Sequence, residues 1–334
     1  MKISIVIPNW NGLHLLKQSL DSVVAAVSAY EGRAEIIIVD NGSQDRSVDV
    51  ILDYYPEIKI IPFETNTGFG YACNYGAKKA NFEYILFLNN DIFVPVDFLT
   101  RMAESFSRHP NSFSMSPQTN HWRGRERTND VFSSCINFSL DVGGEVIQHW
   151  AVNNHTNLAQ GDKPTIYGTG AALLVDKRKF QLLGGFDPIY GLAYWEDVAL
   201  CLQAWRRGWK SYYTDSVVAW HKVSATSESA NISDKFKTRM MTVNYIIFHL
   251  SNITETRISV IFLSKIFSYL RALNKSGDSE TARFILKKLL LNVFKIITRR
   301  IRTNITSKYT MLEVLSMIPI YENWWKSAPT LKQR

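Results

Sequence analysis

Three stretches of polar residues, each directly behind an apolar run, hold the side chains best suited to chemistry: Pro8-Asn9-Trp10-Asn11, Asp40-Asn41-Gly42-Ser43 and Asn89-Asn90-Asp91. A carboxylate at the end of a buried strand is ordinary as a turn or helix cap, because Asn and Asp favour both. Asp91 also suits a second task. A hard divalent cation that shares its shell with substrate phosphates needs only one or two protein carboxylates. His221, at the end of Val217-Val218-Ala219-Trp220, is either a structural histidine or a second ligand for such an ion.

Glu196 and Asp197 form an adjacent acidic pair at the start of a helical pattern. Acids there are stabilised by the helix dipole, and one of them could equally serve as general base for a hydroxyl nucleophile. Successive helical residues diverge by about 100°, so only one of the two can face a given substrate. Tyr194 and Trp195 just ahead are either core or a wall for a sugar to stack on. Gly68-Phe69-Gly70 opens another helical segment and could let backbone N–H groups approach a phosphate.

The elements that must position these groups follow from the apolar pattern. Ile3–Ile7, Ile36–Val39, Ile58–Ile61 and Tyr84–Leu88 read as strands buried on both faces. Leu13, Leu16, Leu20, Val23, Val24 and Val27 recur at helical spacing between the first two, and Ser43 could cap the helix after the second. Strand–helix alternation predicts a mainly parallel, Rossmann-like α/β sheet with right-handed crossovers. Ligands of such sheets sit beyond the carboxyl ends of the strands, where all three polar stretches fall. Residues 112–167 are less regular. Order resumes with a strand at 167–175, a helix after Glu196 and strand character over 211–220.

The last hundred residues differ. Segments 235–250, 258–273 and 282–301 are helical. From Glu255 to Thr310 there are 12 Lys/Arg against 3 Asp/Glu, a net +9 in a chain whose total is +8. Basic character is therefore local, and nucleic-acid binding by the whole chain is not expected. Lys287, Lys288, Asn292, Lys295, Arg299 and Arg302 share an arc of roughly 140° on a helical wheel, interrupted by Leu291, against a mostly apolar remainder. That pattern suits a peripheral anchor on an anionic membrane or a charged face on a helix packed against the first domain. The expected division is a catalytic domain over 1–230 and a basic helical region over 231–334.

The chain has 334 residues, 46% hydrophobic and 20% charged, with 17 Gly and 3 Cys. That composition excludes disordered, collagen-like and disulfide-scaffold classes. Cys73, Cys135 and Cys201 are odd in number and far apart, which fits a reducing compartment. No run is long and apolar enough for a membrane span. The GxxxxGK[ST] and Gly-x-Ser-x-Gly motifs are missing, which argues against P-loop NTPases and serine hydrolases.

Taken in order, Val6–Gly12, Val39–Asp45, Asn66–Gly76, Leu86–Asp91, Gly168–Ala171, Gly184–Asp187 and Trp195–Asp197 resemble glycosyltransferase family 2, the inverting enzymes of GT-A fold, over about residues 1–225, which implies a mixed, mainly parallel sheet flanked by helices, followed by a C-terminal helical region. Asn66-Thr67-Gly68-Phe69-Gly70 and Asn89-Asn90-Asp91 look most like its bacterial rhamnosyltransferase-like branch. The resemblance implies that Asp40 contacts the nucleotide base or ribose, with Pro8 and Asn9 lining the same pocket. It places Asn11, Asn41, Gly68, Asn74, Asn90 and Gly170 in the nucleotide-sugar site. It makes Asp91 and His221 ligands of Mg²⁺ or Mn²⁺ and Asp197 the base, beside Glu196. Asn89 stands where the family motif has its first acid, so the metal would bind together with the donor.

The implied donor is a nucleoside-diphosphate sugar, with dTDP-rhamnose the leading choice, and the acceptor a hydroxyl of a glycan or polyprenyl-linked glycan in surface polysaccharide synthesis. The place of work would be cytoplasmic, on the inner face of the cell membrane. A nucleotidyltransferase and an inactive sugar-nucleotide-binding scaffold are the alternatives. The first would carry a basic glycine-rich loop after the first strand, where Asn9–Gly12 has no Lys or Arg.

Overall fold

The alternating pattern of the first ninety residues folds into four strands crossed by three helices: Lys2–Asn9 (β1), Leu13–Ser28 (α1), Arg33–Asp40 (β2), Ser47–Tyr54 (α2), Lys59–Pro62 (β3), Phe69–Lys79 (α3) and Tyr84–Leu88 (β4). The computed structural model describes residues 1–123, 126–133, 136–139, 148–151, 161–222 and 233–318. Cys135 lies outside them, as does part of the irregular middle segment.

β1 runs parallel to β2 from Lys2↔Arg33 to Asn9↔Asp40 and parallel to β4 from Ile3↔Tyr84 to Val6↔Phe87. β3 adds to β2 in the same sense. The order β3-β2-β1-β4 places the topological switch between β1 and β4, where open α/β sheets bind ligands.

Past β4 come Ile92–Phe93 (β5), Phe98–Ser107 (α4), Ser114–Arg123 (β6), Glu126–Ser133 (β7), Ile136–Ser139 (β8), Gln148–Ala151 (β9), Lys163–Thr165 (β10), Ala172–Asp176 (β11), Lys177–Leu183 (α5), Glu196–Arg206 (α6) and Ser211–His221 (β12). The chain reaches β6 through α4 but leaves a gap one strand wide. β11 fills it antiparallel to both β4 and β6, and β12 then pairs parallel with β6. The sheet is therefore mixed, with its uninterrupted parallel part in β3-β2-β1-β4. Strand–helix alternation could not reveal this, because β11 arrives from about eighty residues further along.

Period-two alternation sends Ile3, Ile5 and Ile7 to one face, against Leu16, Leu20 and Val23 of α1 and Phe98 and Met102 of α4. Val6, Ile37, Val39, Ile85 and Phe87 meet Ala72, Cys73 and Ala77 of α3 and Leu200 and Cys201 of α6 on the other. Cys73 and Cys201 are free and buried, and burial pushes both thiols up. They behave as small core hydrophobes rather than nucleophiles.

The C-terminal segments form Asp234–Asn252 (α7), Thr256–Lys275 (α8), Ser279–Thr306 (α9) and Met311–Met317 (α10). They share a third core with the first domain. Val198, Ala199, Leu202 and Trp205 of α6 pack with Val243, Ile246, Ile247 and Phe248 of α7, Ile285 and Ile296 of α9, and Met311 and Val314 of α10. Arg299 of α9 grips Asp187 through both its Nε and an Nη. These helices therefore pack on the first 230 residues, one of the two alternatives their charge pattern left open.

Their outer surface is unusual. α9 exposes Leu286, Leu290, Phe294, Ile297, Ile301 and Ile305, spaced on one face, with Phe294 83% and Ile305 78% accessible. α8 exposes Val260, Leu263 and Phe267 at the same kind of spacing. Among the described residues no helix is long and apolar enough to cross a membrane.

Candidate active site

The strand ends are locked by one chain of side-chain hydrogen bonds. Asn90 Nδ2 donates to Asn9 Oδ1 at 2.8 Å, and Asn9 Nδ2 donates to Asp40 Oδ1 at 2.9 Å. All three side chains are buried. Ser43 closes the chain: its Oγ donates to Asp40 Oδ1 at 2.5 Å and its N–H to Oδ2 at 3.0 Å. The same Oγ accepts from the Asn11 N–H at 2.9 Å. Ser43 therefore caps the strand-end network and not the helix after it, whose N-cap position is Arg46. Asn11 adopts φ +50° and accepts from the Gln44 N–H at 2.7 Å. Pro8, half-buried, sits beside Val39 at the same end.

Sequence reasoning missed Gly12, which starts α1 where two of these amides meet. A Cβ there would fall 2.2 Å from Asn90 Nδ2 and 2.4 Å from Asn9 Oδ1. Only hydrogen fits, and the nearest legible signal was the glycine closing Asn9-Trp10-Asn11-Gly12.

Asp91 extends the network across the sheet. Its Oδ1 lies 3.1 Å from His221 Nε2, and both side chains are largely buried. Beyond this contact that oxygen makes no regular hydrogen bond. The antiparallel pairing of β12 with β5, His221↔Ile92, sets the two in register. An oxygen and a nitrogen donor at this spacing fit a divalent cation whose other ligands come from a diphosphate. Among the described residues no cluster of three His, Cys, Asp or Glu side chains forms a protein-only metal centre.

The acidic pair joins the same end through backbone. The Asn89 N–H donates to Ala171 O at 2.9 Å, and the neighbouring Gly170 N–H donates to Asp197 Oδ2 at 2.9 Å. Asp197 is half-buried, whereas Glu196 is buried and its Oε2 takes no hydrogen bond. Burial raises Asp197 above the usual carboxyl range, against the pull of the Gly170 and Val198 N–H groups. Burial, and then the Asp197 charge, pushes Glu196 up to about 8. Asp197 is the more accessible of the two, with its carboxylate oxygens held by the Gly170 and Val198 N–H groups.

Three residues expected in the donor site make contacts within the protein. Asn41 Oδ1 accepts from the Thr67 N–H and hydroxyl at 2.8 and 2.9 Å, and its Nδ2 donates to Asn66 Oδ1 at 3.0 Å. Asn74 brackets one residue, donating to Phe186 O at 2.7 Å and accepting from the Phe186 N–H at 2.8 Å. Gly68, at φ +91°, lets the chain pass Gly191, whose carbonyl oxygen would lie 2.5 Å from a Cβ. Its N–H bonds Asn66 Oδ1, and the Phe69 N–H bonds Leu192 O. These amides face protein, not a phosphate. Asn41 ties the end of β2 to the turn before α3, and Gly68 and Asn74 fasten α3 to the loop that leads to Glu196.

A family model described as Glycosyl transferase family 2 matches residues 4–170. An N-acetylglucosaminyl-diphospho-decaprenol L-rhamnosyltransferase of Mycobacterium tuberculosis is 26% identical across 62% of this chain and 73% of its own. A poly(ribitol-phosphate) beta-glucosyltransferase of Bacillus spizizenii is 39% identical across 34% of this chain and 18% of its own. Among solved structures, GalNAc-T7 with UDP, GalNAc and Mn²⁺ aligns with a TM-score of 0.54 at 17% identity, over 75% of this chain and 50% of that one. A mannosyltransferase from Pyrobaculum calidifontis, in complex with GDP-Man and Mn²⁺, aligns at 0.50 and 13% identity, over 98% and 88%. Both structures share the fold, a mixed sheet flanked by helices.

The close approach at Gly12 gives a direct test of the strand-end lock. Gly12→Ala is expected to lower stability in urea unfolding by about 1–3 kcal/mol, the usual cost of overpacking. In an Asn90→Ala background, which removes the nearest obstructing atom, the same change should cost less. Strict additivity in that double-mutant cycle would contradict the contact.

Proposed function

The chain belongs to glycosyl transferase family 2, and from that premise we propose that it is an inverting, metal-dependent transferase carrying a sugar from a nucleoside diphosphate to a hydroxyl of a glycan or polyprenyl-linked glycan. The observation that carries this reading is the union of the buried Asp91–His221 pair and outward-facing Asp197 at one end of the sheet, joined through Asn89–Ala171 and Gly170.

In this reading Asp197 takes the proton of the acceptor hydroxyl as its oxygen bonds to the anomeric carbon. The bond from that carbon to the diphosphate breaks, and the electron pair leaves with the diphosphate. One in-line displacement inverts the carbon, so no enzyme nucleophile is needed. Asp91 and His221 would hold a Mg²⁺ or Mn²⁺, which supplies positive charge to the departing diphosphate when bound. The Mn²⁺ in both fold neighbours supports that choice. The Gly170 N–H orients Asp197, and protonated Glu196 adds no competing charge. Asp40, Asn9 and Asn90 form the floor on which the nucleotide rests. The mycobacterial relative's name supports rhamnose as the sugar, carried in this reading by dTDP, and a lipid-linked acceptor.

The exposed apolar rows of α8 and α9, flanked by Lys265, Lys287 and Lys295, support a seat on the anionic inner face of the cell membrane. Such a surface would hold the active site beside a membrane-linked acceptor. Each basic residue near it contributes about 1 kcal/mol.

Asp91→Ala is expected to abolish transfer without unfolding the protein, and excess EDTA should do the same to the wild type. Full activity in EDTA would refute the metal requirement. Asp197→Asn should lower turnover by roughly 10²–10⁴-fold with donor binding nearly unchanged, and Glu196→Gln should be milder. A base must be ionised to work, and burial raises Asp197. Activity of the wild type should therefore fall as pH drops through a value above the ordinary Asp range of about 4, as read from a kcat–pH profile. An acid limb at or below that range would contradict the assignment. In vesicle co-sedimentation the protein should bind anionic liposomes at low salt and leave them at high salt. Phe294→Asp with Leu290→Asp should abolish binding, and equal affinity for neutral vesicles would rule out the electrostatic seat.

A further inference from the structure

The two residues ahead of the acidic pair sit in a conformation their side chains resist. Tyr194 has φ +77° and Trp195 φ +79°, both in the left-handed region that favours glycine. They are consecutive, and Trp195 is the N-cap residue of α6, with no side-chain cap bond. The direction in which α6 leaves this bend decides where Asp197 points.

Such backbone persists only where surrounding contacts over-determine it. Here they come from α7. Asn244, 1% exposed, aims its Nδ2 at three carbonyl oxygens of the bend: Tyr190 at 2.7 Å, Ala193 at 2.9 Å and Tyr194 at 3.0 Å. One turn on, α7 receives the Trp195 ring. Its centroid lies 5.1 Å from that of Phe248, 5.4 Å from Tyr245 and 6.0 Å from His249. Burial pushes His249 down to about 4, so an uncharged imidazole lines this apolar seat.

We propose that Asn244 is a positioning residue for glycosyl transfer: by gathering the carbonyls of 190, 193 and 194 it holds Tyr194 and Trp195 left-handed and so aims Asp197 at the acceptor. This rests on the reading of Asp197 as the base. It assigns the helical region beyond the first domain a part in the chemistry without contact to either substrate. An amide is the side chain required. Its two N–H bonds are shared among the three oxygens, and a carboxylate in the same place would present oxygen to oxygen.

The test compares Asn244→Ala, Asn244→Asp and Asp197→Asn in the full chain, each assayed below its melting range and normalised to folded protein. Asn244→Ala is expected to lose about 10²-fold in kcat, the scale of a misplacement near 1 Å, with donor KM and nucleotide affinity within about twofold of wild type. Asn244→Asp should lose at least as much although it is isosteric. Tyr194→Gly, which eases the left-handed backbone, should recover part of the kcat lost in Asn244→Ala. If Asn244→Ala folds poorly, Asn244→Ser keeps one donor and should fall between it and wild type. Wild-type kcat in Asn244→Ala beside an inactive Asp197→Asn would overturn the positioning role alone. A fully active Asp197→Asn would overturn the base assignment beneath it. Equal losses in kcat and nucleotide affinity for Asn244→Ala would mean a general structural defect and would also reject the proposal.

Discussion

The Asn90–Asn9–Asp40 hydrogen-bond chain is the constraint on which the rest of the site depends. Parallel strands in an open sheet diverge where the helices leave to opposite faces, and the crevice between β1 and β4 is such a place. The Asn90–Asn9 bond spans it, and the Asn9–Asp40 bond ties β1 on to β2. A buried polar group without a partner costs the full loss of its hydration, so this chain tolerates little displacement. The backbone groups beyond it inherit that rigidity. Asn89 carries the Ala171 carbonyl, Asp91 is fixed opposite His221, and Gly170 presents its N–H to Asp197.

The acids that would do the chemistry stand in different environments. Asp91 is opposed by an imidazole, Asp40 is saturated with hydrogen bonds, and Asp197 is raised by burial beside a still more raised Glu196. Asp40 and Asp91 stand at separate strand ends, and the adjacent Glu196 and Asp197 open a helix, where both are raised by burial.

Much of this was legible in the sequence, because buried parallel strands print themselves as apolar runs and their ends as polar stops. Strand ends at Asn9, Asp40 and Asn89, the first three C-terminal helices and the acidic pair follow from spacing, whereas α10 was not read from it. Which polar strand-end residues face a ligand does not. Asn74 and Asn41 have the residue type of a binding amide, but both are consumed by backbone groups whose position only the tertiary fold decides. Ser43 sat where a helix cap was expected and serves Asp40 instead, because the polypeptide turns back before the helix begins. Asn244 left no signal, since its partners are carbonyl oxygens and any residue supplies those. The insertion of β11 was hidden for a related reason: strand partners far apart in sequence share no local pattern.

That insertion also bears on how the molecule is made. Segments of a polypeptide emerge from the ribosome in order, and β3-β2-β1-β4 can pair as soon as residue 88 is available. β4 then waits with an open edge until β11 arrives, and β6 waits for β11 and β12. An unpaired buried strand is a hazard for association with other chains. The Asn90–Asn9–Asp40 chain can therefore close early, the acidic pair is delivered about a hundred residues later, and the helix carrying Asn244 comes after that. Nascent chains would tie these strand ends together before the acidic pair has been made.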